Sequence, residues 1–85
     1  MKGGGNMYKM FAEMNNLLRT AAKIKYESGR NIEGIAAATG ISSAMLYKWR
    51  SGNSNLSPDK FDTLLKYFQT NEPERLQMAE RILGW

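Results

Sequence analysis

The sequence contains no cysteine and no histidine. Without cysteine, a disulfide framework and a thiolate metal site are both excluded. Without histidine, the commonest general base and the commonest nitrogen ligand for a metal are missing. We therefore expect no enzymatic activity, no metal and no cofactor. Long apolar runs are absent as well: none approaches the roughly 18 residues that a membrane span requires, and nothing at the N-terminus has the form of a secretory signal. A soluble, cytoplasmic protein with no membrane partner is expected. Proline is scarce, with two residues, and acidic residues are outnumbered, 8 against 12 lysines and arginines, for a net charge of +4. That balance favours a polyanionic partner.

What remains is an ordinary globular composition, 42% apolar and 24% charged, in a chain of 85 residues. A domain of this size buries only about 60–65% of the surface its unfolded chain exposes, so a dimer interface would add useful stability. The positive charge is concentrated. Residues 19–50 carry Arg19, Lys23, Lys25, Arg30, Lys48 and Arg50 against Glu27 and Glu33, a net of +4, whereas residues 51–85 carry a net of −1.

Along the chain, residues 1–6 include three consecutive glycines and no apolar pattern, so a disordered N-terminal segment is expected there. Met1-Lys2-Gly3-Gly4-Gly5 is also encodable as the purine-rich run of a bacterial ribosome-binding site, placed just ahead of Met7. On that ground natural translation is expected to start at Met7, and an intact mass from the native host would show it. From Met7 a single domain is expected over residues 7–85. Met7, Met10, Phe11, Met14, Leu17, Leu18 and Ala21 form one apolar stripe at helical spacing, with Ser28-Gly29 as the stop signal. Asn31 is placed to cap a second helix, Ile32–Thr39, which Gly40 ends. Ser42 or Ser43 caps a third helix running to about Arg50. Gly52-Asn53-Ser54-Asn55 reads as a polar loop. Ser57-Pro58 opens a fourth helix, serine at the cap and proline at the first helical position, with Phe61, Leu64, Leu65 and Phe68 on one face. Asn71-Glu72-Pro73-Glu74 opens a fifth, with Leu76, Ala79, Ile82 and Leu83 apolar and Gly84 closing it. There is no strand-like alternation and no internal repeat. The predicted fold is all-α, with five short helices.

The most informative stretch is residues 32–52. Ala36 is small where two helices over a short turn must approach. Gly40 supplies positive φ in the turn, and Ile41 plugs the corner. Leu46 and Trp49 lie three apart on the third helix and face inward with Ile35, which leaves the outer face of that helix free to enter a DNA major groove. This segment resembles the Cro/CI (XRE) family of lambda-repressor-like helix-turn-helix proteins. In that family alanine, glycine, an aliphatic residue, serine, a second aliphatic, tryptophan and glycine recur in this order, matching Ala36, Gly40, Ile41, Ser42, Leu46, Trp49 and Gly52. Ser57-Pro58 with Phe61, Leu64 and Leu65 resembles the family's fourth helix, so the likeness spans about residues 10–70. One position departs. Ile32 stands where the family often has a phosphate-contacting glutamine, and we expect it against the core instead.

The resemblance implies a five-helix DNA-binding domain with its helix-turn-helix at the second and third helices. The implied base-contacting positions are Ser42, Ser43, Ala44, Tyr47 and Lys48. This set has no arginine, asparagine or glutamine for bidentate readout; Ser43 suits several bases, Ala44 a thymine methyl, and Lys48 guanine or phosphate. The implied phosphate contacts are Arg50, Asn53 and Asn55 after the recognition helix, with Arg30 and Asn31 before the second helix. The expected function is a sequence-preferring transcriptional regulator of double-stranded DNA, similar in size to a Cro-like protein or a small phage or mobile-element repressor. It would act as a homodimer, with Leu76, Ile82, Leu83 and Trp85 as the candidate interface. Two other classes compete. The weak base-reading set and the apolar Ala44-Met45 pair suit a protein-interaction module, such as a phage-encoded inhibitor or adaptor for a host protein. Leu46-Tyr47-Lys48-Trp49 resembles helices of insertion-sequence transposases, which suits the DNA-binding subunit of a transposase or packaging machine.

Overall fold

Four of the five helices begin at a capping side chain or a proline. The computed structural model describes residues 7–24 and 30–85, and among them the chain is all-α: α1 (Met7–Lys23), α2 (Ile32–Thr39), α3 (Ser43–Arg50), α4 (Pro58–Asn71) and α5 (Pro73–Leu83). The Asn31 side chain accepts from the Gly34 amide, Ser42 from Met45 and Ser57 from Lys60. Of the two serines expected to cap α3, Ser42 does so. Pro58 and Pro73 open α4 and α5, where a missing N–H costs no helical hydrogen bond. Gly40 closes α2 at φ +77°, and its amide returns to the Ala36 carbonyl. An L side chain there would meet no neighbour, so the requirement is the backbone conformation itself. α1 ends at Lys23, with Ile24 in a bend, before the predicted Ser28-Gly29 stop; that signal and the N-terminal segment 1–6 lie outside the described residues.

The core is built from one face of every helix. Leu17, Leu18 and Ala21 of α1 meet Ile32 and Ile35 of α2, Leu46 and Trp49 of α3, Phe61, Leu64 and Phe68 of α4, and Ala79 of α5. Ile41, in the turn, and Leu56, in the loop before α4, are also buried. Ile32 is buried, as expected for an apolar residue at that position. Phe11 and Phe61 pack edge to face with centroids 5.1 Å apart. Helix α5 lies chiefly along α1, and α2 along α3. No helix of the described residues is long and apolar enough to cross a membrane.

A buried ionic network ties the far ends of the chain together. Arg75 and Glu72 are 3% and 4% exposed and pair at 2.7 Å. The Arg75 guanidinium also donates to the carbonyls of Ala21 and Ala22 at 3.1 Å each and of Arg30 at 2.8 Å. The first two belong to the last turn of α1, where carbonyls lack the full set of helical partners, Ala21 having only the Ile24 amide at 3.2 Å, and a cation is favoured. The other oxygen of Glu72 accepts from the Tyr67 hydroxyl and from the Arg30 amide. A single i,i+3 pair thus closes α1, sets the α4–α5 junction and fixes the backbone just before α2.

The network predicts a pH dependence. Burial acts to raise the Glu72 carboxyl, but hydrogen bonds from Tyr67, Arg75 and the Arg30 amide, with the Arg75 charge, outweigh it and hold the group below its ordinary value. A folded carboxyl that binds its proton more weakly than the unfolded one makes stability rise with pH. The contribution is complete above about pH 4.3 and is lost as the pH falls from there through the folded value. Tyr67 works in the opposite direction. Burial, then the hydrogen bond to and charge of Glu72, push it up to about 12 against the opposing influence of Arg30, so its contribution is complete below about pH 10 and is lost as the pH rises through the folded value. Glu72→Gln should lower stability by about 3 kcal/mol, because Arg75 stays buried without its counter-charge, and should flatten the acid limb. Urea titrations across a pH series check both; an acid limb as steep as in the unaltered protein would contradict the assignment.

Candidate nucleic-acid interface

Helix α3 has eight residues, and their positions divide it cleanly. Leu46 and Trp49 are fully buried, Ser43 and Arg50 are half-buried, and Ala44, Met45, Tyr47 and Lys48 are exposed. The inner edge is held by α1. Asn15, itself buried, accepts from the Trp49 indole N–H at 3.0 Å and donates to the Phe11 carbonyl at 3.0 Å. Arg19 donates through Nε to the Trp49 carbonyl at 2.6 Å, and its guanidinium lies 5.9 Å from the Trp49 ring centroid. The other arm of Arg19 reaches the Ser54 carbonyl at 2.9 Å and Asn55 Oδ1 at 2.6 Å. One arginine therefore fixes both the end of α3 and the loop that follows it.

The outer face differs from the expected set of readers in how its polar groups are used. Ser42 Oγ accepts from the Met45 amide as the helix cap. The Tyr47 hydroxyl donates to Glu33 of α2 at 3.3 Å, and its ring carries the Arg50 guanidinium 5.1 Å from the centroid. Lys48 is exposed and points away from the core. Among the described residues, Lys48, Arg50 and Lys60 form no ion pair; the pairs present are Lys66–Asp62 and Arg75–Glu72. Between α3, the loop and the start of α4 runs an open groove of about 500 Å³. Ala44, Met45 and Lys48 line one side and Asn55, Ser57 and Lys60 the other.

The expected phosphate contacts fall into two groups. Arg50, Asn53 and Asn55 sit together after α3. The Asn53 amide donates to the Lys48 carbonyl, and with Asn55 Oδ1 taken by Arg19, the amide N–H₂ of Asn55 is left to donate elsewhere. Arg30 and Asn31 lie on the other flank. The Arg30 side chain runs over Gly34, where an added Cβ would come within 3.0 Å of it, and its guanidinium lies 5.8 Å from the Tyr67 ring. The Asn31 side chain is engaged as a cap. Of the candidate dimer residues, Leu76 is half-buried against the core, while Leu83, Ile82 at 65% and Trp85 at 57% are exposed at the end of α5.

Arg19, Asn15 and Lys60 belong to this region without having been singled out as site residues from the sequence. A signal existed for Asn15: it interrupts the apolar face of α1 between Phe11 and Leu18, and a buried tryptophan requires an acceptor for its N–H. Replacing Asn15 by leucine should cost about 1–3 kcal/mol by orphaning the indole. The loss should shrink in a Trp49→Phe background, which a double-mutant cycle followed by urea unfolding would detect; strictly additive losses would contradict the pairing. Comparison with known protein families, with characterised proteins and with solved structures found no match.

Proposed function

We propose that this chain is a sequence-preferring, double-stranded DNA-binding transcriptional regulator that lays α3 in the major groove. The observation that carries the reading is the division of α3. Its inner edge is anchored by Asn15 and Arg19, while its outer face presents Lys48 beside Arg50 and Lys60 without a carboxylate partner among the described residues. The concentration of positive charge in residues 19–50 supports it, as does the likeness of residues 32–52 to the Cro/CI pattern. The N-termini of α2 and α3 and the Asn53–Asn55 loop flank this face and supply donors for phosphate. The protein acts in the cytoplasm, on chromosomal or phage DNA.

In this reading two copies bind a two-fold site with their α3 helices about 34–36 Å apart, one turn of DNA. Ile82, Leu83 and Trp85 are the exposed apolar residues that supply the contact between copies. The same residues favour the second reading, an interaction module for a host or phage protein, since an apolar helix end suits any protein partner.

Selection from a random-sequence duplex pool at about physiological salt separates the two. The regulator is expected to enrich a palindromic sequence. Lys48→Ala and Arg50→Ala should each reduce the log–log salt slope by about 0.9 where the charge meets phosphate, and should blur the enriched sequence where it meets a base. No enrichment, with an unchanged salt slope in both variants, would contradict DNA binding through α3 and favour the protein partner.

A further inference from the structure

We infer that the groove beside α3 recognises the C5-methyl group of thymine through Met45, with Ala44 beside it, so that sequence preference comes from apolar contact with methylated pyrimidine edges. This rests on the DNA-binding reading above and states what that site reads. The polar groups on the face are largely spent within the protein. The Ser42 hydroxyl oxygen caps α3, the Tyr47 hydroxyl donates to Glu33, and Ser43 is half-buried. No arginine, asparagine or glutamine stands within α3 ahead of Arg50, so that stretch has no side chain for the bidentate adenine pair and only Lys48 for a guanine edge. What projects instead is Met45, 37% exposed, with Ala44 exposed beside it.

The groove they enter has Ala44 and Met45 as its apolar lining, with Lys48 on the same side, Asn55, Ser57 and Lys60 on the other, Ser42 and Ser54 besides, and no carboxylate. An apolar strip between two ammonium groups matches a DNA edge, whose phosphates are anionic and whose major groove carries one apolar group per A·T pair, the thymine methyl. An acidic or purely apolar peptide would match only one half of that arrangement. The unbranched thioether of methionine adapts to an irregular contact of this kind. Met45 is thus a specificity-determining residue, and Lys48 and Lys60 hold the strand that brings the methyl to it.

Uracil differs from thymine only by that methyl. The test takes a duplex selected from a random pool, replaces its thymines one at a time by uracil, and measures binding by the unaltered protein and by Met45→Gln, whose fold is checked by circular dichroism. The expected result is a loss of about fourfold at one or two positions of each half-site, the value of one buried methyl, and no thymine–uracil difference in Met45→Gln. Equal affinity for thymine and uracil at every position overturns the inference while leaving DNA binding intact. A uracil effect that persists unchanged in Met45→Gln overturns the assignment to this residue. Bound sequences that lack thymine overturn the inference alone, and failure of the pool to yield any bound sequence removes the reading on which it rests.

Discussion

An eight-residue helix does not persist in water by itself, so α3 stands where Trp49 holds it. The indole is fully buried, its N–H is received by Asn15, and its carbonyl and ring face are both met by Arg19. These directed contacts fix the rotation of α3 about its own axis more sharply than apolar packing with Leu46 would. The outward direction of Ala44, Met45 and Lys48 is a consequence of that rotation. Because Arg19 also holds Ser54 and Asn55, the loop and the start of α4 are tied to the same reference, and the groove between them and α3 has a defined width.

The second tie works at the opposite end. Arg75 gathers the last carbonyls of α1 and the carbonyl of Arg30, and Glu72 receives the Arg30 amide. The end of α1 and the residue before the Asn31 cap are thereby tied to the start of α5, which positions α2 and, through the α2–turn–α3 unit, α3 itself. A buried ion pair is a weak source of net stability, and its importance here is geometric: it fixes which backbone groups lie side by side. It also sorts the charges. Arg75 is consumed inside with Glu72, whereas Lys48 and Lys60 line one groove and Arg50 lies over the Tyr47 ring.

Much of the fold was legible because its signals are local. Asn31, Ser42, Ser57, Pro58, Pro73, Gly40 and Gly84 act on the turn in which they sit, and the apolar stripes of α1 and α4 repeat within a few residues. The inward placement of Ile35, Ile41, Leu46 and Trp49 followed from the same short-range pattern. Arg75 was not legible. In Glu72-Pro73-Glu74-Arg75 it looks like an exposed charge, and its burial depends on carbonyls more than forty positions away. The site was legible as a region and less so residue by residue. Ser42 and Asn31 were legible both as caps and as DNA contacts, and the cap bonds engage them; the Tyr47 bond to Glu33, between two helices, has no local signal. In the sequence Met45 stands out only as part of the apolar Ala44-Met45 pair; the position of the loop and of Lys60 is what gives it a groove.

The proposed function requires duplex DNA to meet the outward face of α3 and the groove beside it. The most direct measurement is a backbone-amide nuclear magnetic resonance titration with duplex DNA. The largest shift changes are expected on Ala44, Met45, Lys48 and the non-proline residues of 53–60, with the buried turn around Glu72 and Arg75 little affected. Changes confined to Ile82, Leu83 and Trp85, with α3 unmoved, would contradict it.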